Sequence, residues 1–256
     1  MADAAAPATG RPAWVDLATS DPEASRAFYA KVFGWNIEVN PDPQYGGYAL
    51  AKIAGKDVAG IGPSMQPGAP TAWSIYIGTT DGGALADKVK AAGGTVVMAP
   101  FAVGDQGQMA VFQDPAGAFI SAWQATAMSG FGTAGPNTFS WAELNSRGVD
   151  RAIEFYRAVF GWDSRTSPMP DGTPYTEFLQ GGESIAGGQQ MNPMVPAEVP
   201  SYWMPYFGVA DVEASFRAVL EAGGREMVSP MDFPGGRFAV VSDPQGGAFG
   251  LMQSAG

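Results

Sequence analysis

The 256-residue chain contains no cysteine and no histidine. The first absence excludes a thiolate nucleophile, a disulfide and a Cys-ligated zinc. The second removes the imidazole, the usual general base and a common ligand of zinc, copper and non-haem iron. Ser-His-Asp and Cys-His mechanisms are excluded with it, and acid–base work falls to Asp, Glu, Tyr or Lys. Positive charge is scarce as well: 14 basic residues face 25 acidic ones, a net charge of −11. That balance argues against nucleic acid and anionic membrane as partners, since both attract basic patches. No run approaches the roughly 18–20 apolar residues of a membrane span. The opening Met1-Ala2-Asp3-Ala4-Ala5-Ala6-Pro7 has neither the basic nor the apolar segment of a signal peptide. The expected compartment is the cytoplasm, and the expected assembly a monomer or homodimer.

What is abundant is internal similarity. Residues 14–35 read WVDLATSDPEASRAFYAKVFGW, and residues 141–162 read WAELNSRGVDRAIEFYRAVFGW. The two align without a gap, with Trp14/Trp141, Leu17/Leu144, Phe28/Phe155, Tyr29/Tyr156, Val32/Val159, Phe33/Phe160, Gly34/Gly161 and Trp35/Trp162 identical. The register continues at Tyr48/Tyr175 and at Val58-Ala59-Gly60 against Ile185-Ala186-Gly187. After small insertions Trp73 and Tyr76 pair with Trp203 and Tyr206, Ala92-Gly93-Gly94 with Ala222-Gly223-Gly224, and Asp114-Pro115 with Asp243-Pro244. Such a period means that one structural unit is used twice. The expected division is an N-terminal tail over 1–12, a first domain over 13–125, a linker over 126–136 and a second domain over 137–256.

Each copy divides again. A strand over Trp14–Thr19 is followed by a helix opened by Asp21-Pro22 and stopped by Gly34, with Ala24, Phe28 and Val32 on one face. Strands follow at Trp35–Val39, Gly47–Ile53 and Val58–Gly62. A second round begins with a strand at Trp73–Gly78 and a helix from Asp81 to Gly93-Gly94. It closes with strands at Thr95–Met98, Met109–Gln113 and Phe119–Gln124. The fold class is α+β, and the βαβββ unit is expected four times.

This organisation resembles the vicinal oxygen chelate superfamily, which includes glyoxalase I, extradiol dioxygenases and the fosfomycin and bleomycin resistance proteins. The residues that carry the likeness are Phe28-Tyr29…Val32-Phe33-Gly34-Trp35 with its repeat, and the turns Asp114-Pro115-Ala116-Gly117 and Asp243-Pro244-Gln245-Gly246. A closer likeness is to tandem actinobacterial members labelled glyoxalase-like or hydroxylase, some from anthracycline-type biosynthetic clusters. The resemblance implies two eight-stranded cups in tandem. In metal-dependent members three places in each half supply ligands. Here those places hold Trp14, Ser74 and Ser121 in the first half, and Trp141, Met204 and Gly250 in the second. None is a good ligand for a divalent ion. Metal-dependent chemistry is therefore not expected, and no cofactor is implied.

Alternate strand residues face the same way. If Trp14 and Trp141 point into the cups, so do Asp16 on one strand and Glu143 and Asn145 on the other. By the same parity Tyr76 accompanies Ser74, Tyr206 accompanies Met204, Phe119 and Trp123 accompany Ser121, and Met252 accompanies Gly250. Cups lined by Trp, Tyr, Phe and Met with a few polar atoms suit a flat aromatic ligand. The plainer alternative is that these rings are ordinary core and that Asp16 and Glu143 are structural carboxylates paired with Arg or backbone amides. Tyr29 and Tyr156 lie on helices and read as packing residues. The paired glycines lack the strand-to-helix context of a phosphate loop and read as turns.

Two readings stand open. One is a metal-free protein that binds an aromatic or polyketide-like small molecule, for sequestration, resistance or as an accessory to biosynthesis. The other is an enzyme of lyase, isomerase or hydroxylase type. It would use Asp16 or Glu143 as general acid or base with Tyr76 or Tyr206, since burial raises a carboxyl pKa toward neutrality. The halves differ at Ser74/Met204 and Ser121/Gly250, so a third reading gives one half a purely structural role.

Overall fold

The computed structural model describes residues 8–255, Pro67 excepted. Most of the expected tail, residues 1–7, lies outside the described residues. The first half runs β1 (Pro12–Thr19), α1 (Pro22–Phe33), β2 (Asn36–Val39), β3 (Ala49–Ile53), β4 (Lys56–Pro63), β5 (Ala72–Gly78), α2 (Gly82–Ala91), β6 (Thr95–Val103), β7 (Gly107–Gln113) and β8 (Phe119–Ala125). The second half repeats it as β9 (Thr138–Ser146), α3 (Val149–Phe160), β10 (Asp163–Pro168), β11 (Pro174–Gln180), β12 (Glu183–Gln190), β13 (Tyr202–Gly208), α4 (Val212–Glu221), β14 (Arg225–Phe233), β15 (Gly236–Ser242) and β16 (Ala248–Ser254). The βαβββ unit thus occurs four times, and the class is α+β as expected.

Local chemistry explains the helix ends. Asp21, Asp81 and Asp211 each accept a hydrogen bond from the backbone N–H three residues on, capping α1, α2 and α4. Gly34 and Gly161 end α1 and α3 in the left-handed conformation that a residue without Cβ adopts cheaply. One strand departs from expectation. β6 was expected to stop at Met98, before Ala99-Pro100, but it continues to Val103. It lies at the edge of its sheet, and its pairing with β7 shifts register between Met98 and Phe101. Proline is tolerated at such an edge bulge, where no ladder N–H is needed.

The sixteen strands form two mixed sheets of eight, in the orders β2-β3-β4-β1-β5-β8-β7-β6 and β10-β11-β12-β9-β13-β16-β15-β14. Each sheet therefore draws on one half of the chain. The compact packing units do not. Among the described residues one unit comprises 8–14, Ile75–Gly130 and Ala142–Trp203; the other comprises Val15–Ser74, Phe131–Trp141 and 204–255.

In the unit that contains α1, Tyr29 is fully buried and lies between two polar groups. Its hydroxyl donates to Asp243 Oδ2 at 3.0 Å and accepts from Trp73 Nε1 at 3.0 Å. The other carboxylate oxygen of Asp243 accepts the N–H groups of Gln245 and Gly247. Phe28, Trp35 and Phe249 crowd the phenol ring with centroids 4.9–5.7 Å away. The other unit repeats the device. Tyr156 donates to Asp114 Oδ2 at 2.9 Å and accepts from Trp203 Nε1 at 2.7 Å, while Asp114 Oδ1 accepts from Ala116 and Ala118. The repeated Phe-Tyr, Trp and Asp-Pro-x-Gly phrases meet in one core per unit, and Tyr29 and Tyr156 are hydrogen-bonding as well as packing residues.

The tryptophans that close the repeat phrase hold a second matched pair of contacts. Trp35 Nε1 donates to the carbonyl of Asn137, and Trp162 Nε1 to that of Gly10. Asn137 and Gly10 stand at equivalent repeat positions, and both have positive φ. Next to Gly10, Arg11 pairs with Glu183 at 2.7 Å.

Burial raises the Asp114 and Asp243 carboxyls above the ordinary carboxylate range, against the backbone and phenol donors that pull them down. Burial and then the neighbouring carboxylate push the Tyr29 and Tyr156 phenols well above their ordinary value. Each of these four groups thus holds its proton to higher pH in the folded chain than in the unfolded one. Their contribution to stability therefore falls as pH rises from about 4 through the native carboxyl pKa values, and falls again above about pH 10. Urea unfolding of wild type and Asp114→Asn over acidic pH checks the first sign. The difference is expected to move in favour of the variant as pH rises, and a pH-independent difference would contradict it. Tyr29→Phe or Tyr156→Phe leaves a buried indole N–H and a carboxylate oxygen without the phenol. Each is expected to cost about 1–3 kcal/mol by urea denaturation.

Candidate functional site

Glu143 lies on β9, in parallel register with Gly187 of β12, and is only 8% exposed. Its carboxylate is a hydrogen-bond hub. Tyr175 on β11 donates its phenol to Oε2 at 3.1 Å. Gln189 on β12 donates Nε2 to Oε1 at 3.2 Å, and Asn145 donates Nδ2 to the same oxygen at 3.4 Å. Gln189 Nε2 also reaches Asn145 Oδ1 at 3.2 Å. Glu143 and Asn145 meet because they are two apart on one strand. Tyr175 and Gln189 meet them because they are directly opposite across the β11–β12 ladder. Tyr202, at the start of β13, feels the same charge: burial and then the Glu143 carboxylate raise its phenol pKa. Tyr175, Gln189 and Tyr202 are half-buried, so a buried acid sits beneath amphipathic side chains that reach solvent.

The first half carries a reduced version. Asp16 on β1 is half-buried, is in register with Gly60 of β4, and accepts the Tyr48 phenol at Oδ2 from 3.2 Å. Tyr48 lies across β4, so that a Cβ on Gly60 would fall on its hydroxyl and one on Gly62 would lie 2.8 Å from its ring. The acid–phenol pair thus recurs at the same repeat spacing, 16 to 48 and 143 to 175. Tyr48 and Tyr175 were visible in the sequence as a matched pair. They were not assigned to a site, because only strand pairing brings them onto the acids. Tyr202 follows the parity of Met204 and Tyr206 and could have been included on that ground.

The other predicted residues divide between the two packing units. With Glu143 and Asn145 in one unit, Trp14, Tyr76, Ser121 and Trp123 are buried, and Tyr76 faces Ser121 in parallel register across β5 and β8. Trp123 donates its indole to the Met128 carbonyl at 2.8 Å. Phe119 opens the same strand but is 51% exposed. In the other unit Met204 and Tyr206 are buried, while Ser74, Trp141 and Met252 are half-buried. Surface hollows of about 380 and 320 Å³ lie where α3 meets Gly93 and Pro115 and where α1 meets Ala222 and Pro244. Neither includes a residue of the Glu143 cluster.

The family's metal places fail a test of fit. Trp14, Ser74, Ser121, Trp141, Met204 and Gly250 offer two hydroxyls and a thioether, and no carboxylate or imidazole. Gly250 is in register with Tyr206, and a Cβ there would be built into the Tyr206 ring. An acidic side chain cannot start from that position while the ring is in place. Among the described residues no group of three or more Asp or Glu side chains is placed to hold a metal ion. Gly250→Ala is expected to lose about 1–3 kcal/mol of stability through overpacking, measured by thermal or urea unfolding.

Comparison with known proteins agrees with the fold. Residues 11–121 match the model of the Glyoxalase/Bleomycin resistance protein/Dioxygenase superfamily, and residues 141–252 match a glyoxalase-like domain. A Mycobacterium tuberculosis protein named "Putative glyoxylase CFP32" is 40% identical over 96% of this chain and 95% of its own length. The anthracycline biosynthesis protein DnrV of Streptomyces peucetius is 36% identical over 96% of this chain and 94% of its own. Among solved structures, the Mn(II)-bound glyoxalase from Novosphingobium aromaticivorans superposes with a TM-score of 0.66 at 16% identity, over 96% of this chain and 82% of that one. The 2,3-dioxygenase LapB from Pseudomonas sp. KL28 gives 0.66 at 14% identity, over 98% and 94%. These two likenesses concern the fold. Among the described residues no helix is long and apolar enough to cross a membrane.

Proposed function

The chain belongs to the glyoxalase/bleomycin resistance protein/dioxygenase superfamily and is related to anthracycline biosynthesis proteins, and from that premise we propose that it binds a flat, aromatic or polyketide-like small molecule at the Glu143 cluster without a divalent metal. The observation that carries this reading is the Glu143 carboxylate held by Tyr175, Gln189 and Asn145. Two tyrosine rings beside a buried acceptor offer an aromatic ligand both a stacking surface and an orienting group. The donor set at the family's metal places supports the metal-free part of the reading. The net negative charge supports a small molecule, rather than a nucleic acid or an anionic membrane, as the partner. The cytoplasm is the proposed compartment.

Calorimetric titration with hydroxyanthraquinones, anthracyclinones and flavins tests the proposal. At least one is expected to bind with a Kd well below about 1 mM, a threshold of roughly 4 kcal/mol of binding free energy. Absence of binding across the panel would overturn it. Glu143→Gln keeps the shape and removes the charge. It is expected to weaken binding by about tenfold to a hundredfold, the worth of a hydrogen bond to a charged group, with little change in unfolding midpoint. A collapse in stability instead would mark Glu143 as a structural acid.

A second reading is favoured by the same Tyr175–Glu143 contact. An acid and a phenol 3.1 Å apart can pass a proton to and from a bound substrate. In that case the protein is an enzyme of lyase, isomerase or hydroxylase type. Glu143→Gln and Tyr175→Phe would then abolish turnover of a ligand that still binds.

A further inference from the structure

The halves of the chain carry the same acid–phenol pair in different settings. Asn145 and Gln189 have Ala18 and Gly62 as their repeat counterparts. In the first half the Tyr48 ring occupies the space into which a side chain at position 62 would grow. No carboxamide can reach Asp16 from there as Gln189 reaches Glu143. At the equivalent place the second half carries a hydrogen-bonding side chain, directly opposite Tyr175.

The orientation of the Gln189 amide follows from elementary chemistry. An ionised carboxylate only accepts hydrogen bonds, and so does the oxygen of Asn145. The end of Gln189 that meets Glu143 Oε1 and Asn145 Oδ1 must therefore be its NH₂, as the 3.2 Å contacts have it. The amide is planar, so its carbonyl oxygen is turned away from both. Gln189 is half-buried rather than enclosed.

We propose that Gln189 is a specificity-determining residue: its carbonyl oxygen accepts a hydrogen bond from a hydroxyl group on the aromatic ligand, so that the second half of the chain selects hydroxylated rings. This inference rests on the reading of the Glu143 cluster as the ligand site. A phenolic hydroxyl satisfies the carbonyl. A methoxy group at the same place brings an oxygen with no proton to donate, together with added bulk, and leaves the carbonyl desolvated and unpaired.

The test uses alizarin and its dimethyl ether as probes, titrated by calorimetry against wild type and Gln189→Leu. Wild type is expected to bind alizarin about tenfold more tightly than the ether, close to the worth of one hydrogen bond. Gln189→Leu is expected to abolish that preference, bringing the ratio of alizarin to ether affinity close to one whatever the change in overall affinity. Equal affinities in wild type overturn the proposal without recourse to any variant, and leave the broader ligand-binding reading standing. A preference that survives intact in folded Gln189→Leu overturns it equally. Failure of wild type to bind either probe, when other members of the panel do bind, also overturns it. Failure with the whole panel removes the underlying reading as well.

Discussion

The fold turns on a phenol clamped between an indole and a buried carboxylate. Tyr29 joins α1 and Trp73 to Asp243, which lies far along the chain; Tyr156 joins α3 and Trp203 to Asp114. The aspartate works on both sides. One oxygen closes the Asp-Pro-x-Gly turn by accepting two backbone N–H groups, and the other is left for the phenol. A charge so placed is tolerable only because three donors meet it. The sheets are built within each half of the chain, but these clamps tie modules from opposite halves into one core. α1 and α3, the two Asp-Pro-x-Gly turns and the rings around Tyr29 and Tyr156 meet at these clamps.

That constraint also explains what was legible in the sequence. The phrases that repeat most faithfully, Phe-Tyr, Phe-Gly-Trp and Asp-Pro-x-Gly, are the parts of the clamp, and their spacing exposed the four modules and the fold class. Their chemistry was less legible. Tyr29 reads as a packing residue because helical periodicity reports which face is buried and not what the hydroxyl meets. Asp243 reads as a turn residue for the same reason. Asp16 and Glu143 were reached by counting along a strand from a family ligand position, which needs only the alternation of side chains. Tyr48, Tyr175 and Gln189 were not, because cross-strand register is set by the whole sheet. β6 runs past Pro100 because the cost of a proline depends on whether a neighbouring strand needs its missing N–H, which no local window can say.

The residues at the six family metal places offer no carboxylate or imidazole, although the fold is the family's. The mismatch is more than a lack of donors. At Gly250 the strand carries no side chain, and the Tyr206 ring lies where one would begin. Tyr48 stands over Gly60 and Gly62 in the same manner. Glycine on a strand costs stability by itself, and here each of these glycines admits a large ring against the backbone. A carboxylate at position 250 would require the ring to leave, so a metal place there needs two coordinated changes.

Duplication makes the two acids a controlled comparison within one molecule. Both keep the phenol, so the acid–phenol pair is the shared feature. Only Glu143 is met by carboxamides, from Asn145 and Gln189, whose repeat counterparts are Ala18 and Gly62. Asp114 and Asp243 each accept two backbone N–H groups and one phenol. Glu143 is met instead by three side chains, two of them half-buried. A network of that kind is costly to assemble and sensitive to what approaches it. The asymmetry is the physical ground for seeking a ligand in the second half, since the first half keeps the acid–phenol geometry but fills the space at position 62 with an aromatic ring.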